Sequence, residues 1–296
     1  MKYFVFDWGG TSVKYALWDG DTLSDPGSFK TPSTWEQLKN EMLERVKPYQ
    51  NTVQGIAISS PGSVDIKQGI IGGLSAIDYI HNFKIVEEME SLFGLPVSIE
   101  NDANCAALAE SWRGVAKDMK NLLFVVIGTG IGGAVIVDGV LQRGSQRFAG
   151  EFGCMIFDGE NTWSMAATAV HMAERYCLRK GLEMDALTGE TVFQRAQHDQ
   201  IALEEVNKFY DALALGLYNL QFTLDPNCIV LGGGVSKHPD LIPELNQRIN
   251  RLLQEAQLDE LKINLKPCSY HNDANLIGAV ASHLSQCGGE NHEICD

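Results

Sequence analysis

The sequence predicts an α/β fold made of two duplicated halves, each built on a mixed β-sheet. Predicted strands and helices alternate along the 296 residues, a length that suits one large domain or two ordinary ones. A hairpin pattern also occurs twice, as "YFVFDWGGTSVKYALWDG" at 3–20 and "LLFVVIGTGIGGAVIVDG" at 122–139. Each copy contains a strand, a glycine turn, a second strand and an Asp-Gly turn, which indicates a duplication.

The remaining elements follow from periodicity and from start and stop signals. Thr34 is a plausible N-cap, Gly94 is a stop signal, and Asn101 or Asp102 caps the helix after the strand "PVSIE". The predicted elements between and after the hairpins are helices at 34–49, 84–94, 101–114, 203–224 and 274–285, and strands at 55–60, 96–100 and 228–233.

Composition restricts the classes of function. The formal net charge is −15, which argues against a nucleic-acid partner and against binding to an anionic membrane. The uncharged run 122–137 is shorter than the roughly 18–20 residues that span a bilayer, and the opening residues lack a secretory signal. The seven cysteines form no C-x-x-C pair, as expected for reduced thiols. We therefore expect a soluble, cytoplasmic protein.

The glycine turn of the second hairpin allows more than one interpretation. Gly128, Gly130 and Gly133 have the G-x-G-x-x-G spacing of a dinucleotide-binding loop, and Glu151 lies about 20 residues further on. Such a loop requires a helix next, whereas "AVIVDG" predicts a strand. A purely structural hairpin stays open. Three glycine turns at strand ends, "DWGGTS", "IGTGIGG" and "LGGGVS", favour loops that bind phosphate through backbone N–H groups.

These motifs resemble the ROK family of sugar kinases, in the actin-like ATPase superfamily. The matching motifs run in the family's order: "DWGGTSVK" at 7–14, "SSPGSVD" at 59–65, "PVSIENDANCAALAE" at 96–110, "VVIGTGIGGAVIVDG" at 125–139, "AGEFGCM" at 149–155, "IVLGGGV" at 229–235 and "NDANLIGA" at 272–279. Among family members, the chain looks most like the bacterial β-glucoside kinases.

The resemblance implies a two-lobed actin-like fold, a duplicated ribonuclease H-like arrangement with mixed sheets. Residues 1–115 would form the small lobe, joined by a C-terminal helix at 276–296, and residues 116–275 the large lobe. It implies a cytoplasmic homodimer, and the acidic net charge argues against binding to nucleic acid or to a membrane. The family's repressors carry a helix-turn-helix domain first, for which no room precedes Asp7.

The resemblance also implies an ATP- and Mg²⁺-dependent kinase that phosphorylates the 6-hydroxyl of a glucose-type sugar, including a β-glucoside such as cellobiose. N-acetylmannosamine and glucose stay open as substrates. A non-catalytic sugar-sensing protein on the same scaffold is the alternative of a different class. The presence of Asp102, the candidate base, argues against that alternative.

The resemblance assigns site residues by position. Asp102 would accept the proton of the sugar hydroxyl, although its spacing alone favours a helix cap. Asn101 and Glu151 would hydrogen-bond sugar hydroxyls, and the backbone of Gly73 would line the sugar pocket. Asp7 would hold Mg²⁺ through water. The expected nucleotide-binding residues are Asp7, Gly9, Gly10, Thr11 and Lys14 for the first phosphate loop, Thr129 and Gly130 for the second, and Gly232, Gly233 and Gly234 for adenosine.

Two departures from the family pattern affect the expected chemistry. Cys154 occupies the position of the family's zinc-binding histidine, and "MIFDGENTWSMAATAV" replaces its cysteine-rich segment. We therefore expect no zinc. The segment also lacks a counterpart of the glutamate that contacts the sugar near its anomeric end, and a site relaxed there would admit a β-glucoside. Trp8 has no functional account.

Overall fold

The computed structural model describes residues 1–287 and divides them into two units. Unit 1 comprises Met1–Lys117, Gly139–Phe148 and the described residues from Ser269 onward, and unit 2 comprises Asp118–Asp138 and Ala149–Cys268. The units thus differ from the expected lobes, because 116–117, 139–148 and 269–275 group with unit 1. The part of the expected C-terminal helix beyond residue 287 lies outside the described residues.

The elements in the described residues alternate as the sequence predicts. The strands are β1 (Tyr3–Trp8), β2 (Ser12–Trp18), β3 (Leu23–Lys30), β4 (Ile56–Ser60), β5 (Ser63–Asp65), β6 (Ile70–Gly72), β7 (Val97–Asn101), β8 (Leu122–Ile127), β9 (Ile131–Val137), β10 (Val140–Gln142), β11 (Cys228–Gly232) and β12 (Leu265–Pro267). The α-helices are α1 (Trp35–Val46), α2 (Ile85–Phe93), α3 (Asp102–Trp112), α4 (Trp163–Ala166), α5 (Ala169–Arg179), α6 (Gly189–Arg195), α7 (Gln200–Leu224), α8 (Leu241–Glu255) and α9 (Ala274–Cys287).

Unit 1 is built on a mixed sheet with the strand order β3-β2-β1-β4-β7. β1, β4 and β7 run parallel, while β2 and β3 are antiparallel to their neighbours. In the register, Asp7 lies beside Ser59 and Ser59 lies beside Glu100. Since the carboxyl ends of parallel strands meet at one edge, the residues that follow β1, β4 and β7 are brought together there.

Unit 2 repeats this arrangement. β9 pairs antiparallel with β8, β8 runs parallel to β11, and β11 runs parallel to β12. The order β9-β8-β11-β12 therefore matches β2-β1-β4-β7 in both sequence order and strand direction. The predicted α/β fold with two copies of a mixed sheet is confirmed.

Each unit has its own hydrophobic core, formed by one face of its sheet and the helices beside it. Trp8, for which the sequence offers no role, is a core residue of unit 1. Its side chain is 1% exposed and meets the ring of Trp35 edge-on, with the ring centroids 6.0 Å apart. Burial explains a large aromatic side chain here, but the indole Nε1 atom is buried with no hydrogen-bond partner among the described residues, so burial does not explain the choice of tryptophan.

The helices of residues 1–287 differ from membrane-spanning segments in length or in polarity. None of them is both long enough and apolar enough to cross a membrane. The longest of the helices given above, α7, is 25 residues long and buries part of its surface in the core of unit 2. The apolar run 122–137 is divided between the strands β8 and β9.

His283 on α9 is a buried titratable residue of unit 1. Its Nδ1 atom lies 2.8 Å from the Ser98 hydroxyl on β7, and its side chain is 2% exposed. Burial lowers the pKa of His283 to about 4, because the charged imidazolium would lose its hydration. The folded protein therefore keeps this ring neutral at a pH where an unfolded chain would protonate it.

We expect the stability of unit 1 to fall as the pH drops from about 6.5 toward 4. Over that window the unfolded chain binds a proton that the folded chain does not, which costs roughly 3 kcal/mol at most. Urea denaturation at a series of pH values measures this loss. His283→Gln should flatten the dependence, whereas His198→Gln, at an exposed histidine, should not. Equal pH dependence in wild type and His283→Gln would contradict the assignment.

Candidate active site

Asp7 lies at the carboxyl edge of the unit 1 sheet and is fixed by two neighbours. Its Oδ1 atom accepts hydrogen bonds from the Ser59 hydroxyl at 2.7 Å and from the Asn275 amide at 3.0 Å. The side chain is 7% exposed. Lys14 lies opposite Asp7 in the β1–β2 register, so the two side chains share one face of the sheet. The carboxylate is therefore oriented, and a cationic residue stands beside it.

The first glycine turn links β1 to β2 and is closed by short backbone contacts. Gly9 N–H donates to the Ser12 carbonyl at 3.1 Å, and a Cβ on Gly9 would lie 2.8 Å from that oxygen. A Cβ on Gly10 would lie 2.5 Å from the Cβ of Ala76. The Thr11 carbonyl accepts from the backbone N–H of Thr31 at 3.1 Å. The turn is consequently tight and backbone-rich, which suits phosphate binding.

Asn101 and Asp102 stand where β7 passes into α3. Asn101 is the N-cap, since its Oδ1 accepts from the backbone N–H of Asn104 at 3.1 Å. The Asp102 Oδ1 atom accepts from the Asn101 amide at 3.0 Å and from the Ala103 N–H at 2.8 Å. The capping role that competes with catalysis at Asp102 is thus taken by its neighbour.

Gly73 follows the short hairpin β5–β6 and has a left-handed backbone, with φ of +76°. A Cβ here would make only ordinary contacts, 3.6 Å from the Cβ of Ser63. The residue before this hairpin, Gly62, contacts the segment that carries the candidate base. The Asn101 amide donates to the Gly62 carbonyl at 3.1 Å. Gly73 and Asn101 are therefore joined through one hairpin of unit 1.

The buried thiol of Cys105 lies on α3 beside this edge, and its Sγ atom donates to the Glu100 carbonyl at 3.9 Å. Burial raises the pKa of Cys105 well above its usual value, and the negative charges of Glu100, Asp7 and Asp102 raise it further. All three carboxylates act on this single group of α3. Unit 1 thus brings together Asp7, the first glycine turn, Asn101 and Asp102.

In unit 2, the second glycine turn connects β8 to β9. Thr129 and Gly130 are exposed, and the Gly128 N–H donates to the Gly130 carbonyl at 2.9 Å. Ser164 of α4 supports the turn, because its hydroxyl accepts from the Ile131 N–H at 2.9 Å. Thr129 and Gly130 are therefore accessible to a ligand, while hydrogen bonds fix the backbone of the turn.

Glu151 lies in a turn that packs against β9. A Cβ on Gly150 would lie 2.4 Å from the Gly133 carbonyl, and one on Gly153 would lie 2.1 Å from the Ile131 carbonyl. These close approaches require glycine on both sides of Glu151. The exposed Glu151 carboxylate is therefore held near the base of the second glycine turn.

The third glycine run ends β11. A Cβ on Gly233, where φ is +85°, would lie 2.2 Å from the Ile127 carbonyl, and one on Gly232 would lie 2.5 Å from the ring of Phe124. Strand β8 therefore requires glycine at both positions, independently of any ligand. A Cβ on Gly234 would meet nothing within 4 Å. Contact with adenosine stays a prediction for this run.

Cys154 is exposed at the end of the turn that follows Glu151. The segment after it forms an isolated antiparallel bridge between Ile156 and Thr162. In the part of the chain that the structure describes, no three His, Cys, Asp or Glu side chains are grouped to hold a metal ion. The apolar side chains of Met155 and Ile156 are 37% and 64% exposed.

Several residues that shape these sites are missed by motif reasoning. Ser59 and Asn275 hold Asp7, and Ser164 supports the second glycine turn. Two of them lie within quoted motifs, "SSPGSVD" and "NDANLIGA", which is the signal that could have identified them. Ser164 lies in the segment that departs from the family pattern, where the motifs give no guidance.

Comparison with known proteins places these features in a family. The model of the ROK family matches residues 3–285. A beta-glucoside kinase of Klebsiella pneumoniae is 37% identical over 296 aligned residues, 97% of this chain and 97% of the relative. A beta-glucoside kinase of Listeria innocua is 36% identical over 297 residues, 97% of this chain and 98% of the relative. The crystal structure of a ROK family protein from Streptococcus pneumoniae in complex with sucrose superposes with a TM-score of 0.88 at 35% identity, covering 97% of this chain and 99% of that one. This chain belongs to the ROK family.

Proposed function

We propose that this protein is an ATP-dependent sugar kinase that phosphorylates the 6-hydroxyl of a β-glucoside such as cellobiose. The kinase class is supported by two relatives of 36% and 37% identity, both beta-glucoside kinases aligned over nearly their whole length. The solved relative with sucrose, at 35% identity, supports a sugar as the acceptor.

The geometry of Asp102 carries the proposal. Its Oδ1 atom is held by the Asn101 amide and the Ala103 N–H, which orients the carboxylate at the start of α3. An oriented carboxylate can accept the proton of a sugar hydroxyl as that oxygen attacks phosphorus. We assign hydrogen bonds to the other sugar hydroxyls to Asn101 and Glu151, and a backbone contact to Gly73.

The residues assigned to ATP fit an anionic substrate with its Mg²⁺. Carboxylate oxygen is a ligand that Mg²⁺ prefers, and Asp7 is an oriented carboxylate beside Lys14. Mg²⁺ supplies charge neutralisation at the phosphates when bound. We assign the phosphates to the turns at 9–11 and 129–130 and adenosine to 232–234, where Gly234 has open space.

The preference for a β-glucoside rests on the segment after Glu151. Cys154 replaces the histidine of the zinc module, and the exposed apolar side chains of Met155 and Ile156 follow it. The family's glutamate near the anomeric carbon has no counterpart here. A sugar that carries a substituent on that carbon therefore displaces no hydrogen bond to a glutamate and is not placed against its buried charge. We propose that no zinc is bound; one zinc per chain in elemental analysis after dialysis would overturn that.

A coupled ADP-release assay with a panel of sugars tests the proposal. We expect the highest kcat/KM with cellobiose, lower values with glucose and N-acetylmannosamine, and little ATP hydrolysis without sugar. Mass spectrometry of the product should show one added phosphoryl group, and fragmentation should place it on the 6-hydroxyl of the non-reducing ring.

Two outcomes of this assay would change the assignment. A strict preference for N-acetylmannosamine would overturn the β-glucoside specificity while leaving the kinase class intact. No turnover with any sugar, together with measurable sugar binding by calorimetry, would favour the non-catalytic sugar-sensing alternative. The homodimer and the cytoplasmic location are proposals from the family resemblance, and sedimentation velocity tests the former.

A further inference from the structure

Glu100, the residue before Asn101, is a buried carboxylate with hydrogen-bond donors on both oxygens. Its side chain is 1% exposed. Oε1 accepts from the backbone N–H of Asn101 at 2.9 Å and from the amide of Asn104 at 3.0 Å. Oε2 accepts from Arg143, and the Ser282 hydroxyl lies 3.5 Å from it. These hydrogen bonds are needed because burying a carboxylate without donors or a counter-charge destabilises the folded protein.

Arg143 provides the positive charge that balances Glu100. Its Nε and Nη2 atoms donate to Oε2 of Glu100 at 2.9 and 2.5 Å, and 28% of its side chain is exposed. Arg143 lies in Gly139–Phe148, a unit 1 segment that is flanked on both sides in the sequence by unit 2. Arg143 and Glu100 are therefore 43 residues apart in the sequence but in direct contact in the fold.

The pair is connected to the candidate base by consecutive hydrogen bonds. Glu100 holds the Asn104 side chain, and the Asn104 N–H donates to Oδ1 of Asn101 at 3.1 Å. The Asn101 amide then donates to Oδ1 of Asp102 at 3.0 Å. Glu100 also holds the backbone N–H of Asn101 directly. The orientation of both Asn101 and Asp102 thus depends on where the Glu100 carboxylate lies.

We propose that Arg143 and Glu100 are positioning residues for phosphoryl transfer, which fix Asn101 and Asp102 in the orientation needed for the sugar and its hydroxyl proton. The inference rests on the proposed function, because it gives the pair a role in the same site. Removing Arg143 leaves a buried carboxylate without its cation. The carboxylate must then move or recruit other donors, which displaces the turn that it holds.

Another buried carboxylate provides a control. Glu205 on α7 is 0% exposed and binds Arg179 at 2.8 Å, as Glu100 binds Arg143. It lies in unit 2, and neither Glu205 nor Glu204, the other acidic partner of Arg179, is among the candidate site residues. If the Arg143–Glu100 pair only stabilises the fold, Arg143→Met and Arg179→Met should have equivalent effects on turnover.

The experiment compares Arg143→Met, Arg143→Lys and Arg179→Met with the wild type, at a temperature where circular dichroism shows each variant folded. For Arg143→Met we expect kcat to fall by about 10- to 100-fold and the KM for the sugar to rise, because small displacements of a catalytic group have effects of this size. The KM for ATP should stay within about twofold, because Asn101 and Asn104, which Glu100 holds, are not among the residues assigned to ATP. Arg143→Lys should recover part of the kcat, and Arg179→Met should keep it even where its urea midpoint falls.

A double variant tests the charge argument. Since the uncompensated carboxylate causes the displacement, Glu100→Gln combined with Arg143→Met should lose no more kcat than Arg143→Met alone. Wild-type kcat in Arg143→Met, or equal losses in Arg143→Met and Arg179→Met, would overturn the inference while the wild type still phosphorylates sugar. A wild type without turnover would instead overturn the proposed function and this inference with it.

Discussion

Replacing Asp102 by Asn is expected to lower kcat by about 10²–10⁴-fold, the range typical of a lost general base. An amide cannot accept the hydroxyl proton at neutral pH, so the attacking sugar oxygen keeps its proton longer. The sugar KM should change much less, because Asn101, Glu151 and Gly73 are assigned to ground-state binding. Steady-state kinetics on the best sugar of the panel measures both quantities.

The variant should fold normally, since Asn and Asp have nearly the same shape. The helix cap is also unaffected, because Asn101 rather than Asp102 accepts the capping hydrogen bond from Asn104. Asp185→Asn, at an exposed aspartate of unit 2, is the matched control and should keep wild-type kcat. An Asp102→Asn protein with near-wild-type turnover would remove Asp102 from the role of base.

Much of the fold could be predicted from local sequence signals. The two glycine hairpins, the alternation of strands and helices and the N-cap at Thr34 all act over a few residues, and the structure confirms them. The duplicated actin-like fold that the resemblance implies is also confirmed. The predicted helix at 34–49 stops at Val46 and continues as a 3₁₀ turn over Lys47–Tyr49, where Pro48 lacks the N–H that an α-helix needs.

The elements that sequence analysis misses depend on contacts between distant residues. Strand β3 contains Asp25, Pro26 and Gly27, a sequence typical of a turn, and it forms because β2 offers a free edge. A Cβ on Gly27 would lie 2.3 Å from the Tyr15 hydroxyl, which explains that glycine. Neither fact is visible without the register of the two strands.

The same limit applies to the candidate site. Motifs identify Asp7, Asn101 and Asp102 because those residues are clustered in short segments. They do not identify the pairing of Glu100 with Arg143, since the two residues are far apart in the sequence and only the folded chain joins them. Conversely, contacts with the distant strand β8 explain Gly232 and Gly233 of the third run, whereas the motif alone assigns both glycines to adenosine.

The helix pair α3–α9 gives the second large expected effect. A Cβ on Gly278 of α9 would lie 1.6 Å from the backbone carbonyl oxygen of Cys105 on α3. A backbone atom cannot rotate away as a flexible side chain can, so the two helices would have to separate. We expect Gly278→Ala to lower the free energy of unfolding by roughly 3 kcal/mol, at the upper end of the usual cost of overpacking.

Urea denaturation measures this loss, with Gly234→Ala as the control because an added methyl there meets nothing within 4 Å. A second control follows from the identity of the clashing atom. Since that atom is the carbonyl oxygen of Cys105 and not its thiol, Cys105→Ala should not restore the stability of Gly278→Ala. A wild-type urea midpoint in Gly278→Ala would contradict the packing argument.

Gly278→Ala should also affect the candidate site, and unlike Asp102→Asn it should lower stability at the same time. α9 carries Asn275, which donates to Asp7, and α3 begins at Asp102, so separation of the two helices displaces groups on both. We therefore expect Gly278→Ala to lose stability and kcat together, whereas Asp102→Asn loses kcat alone. Measuring kcat and the urea midpoint in both variants separates the chemistry of the carboxylate from the packing that positions it. Only Gly278→Ala should shift the urea midpoint.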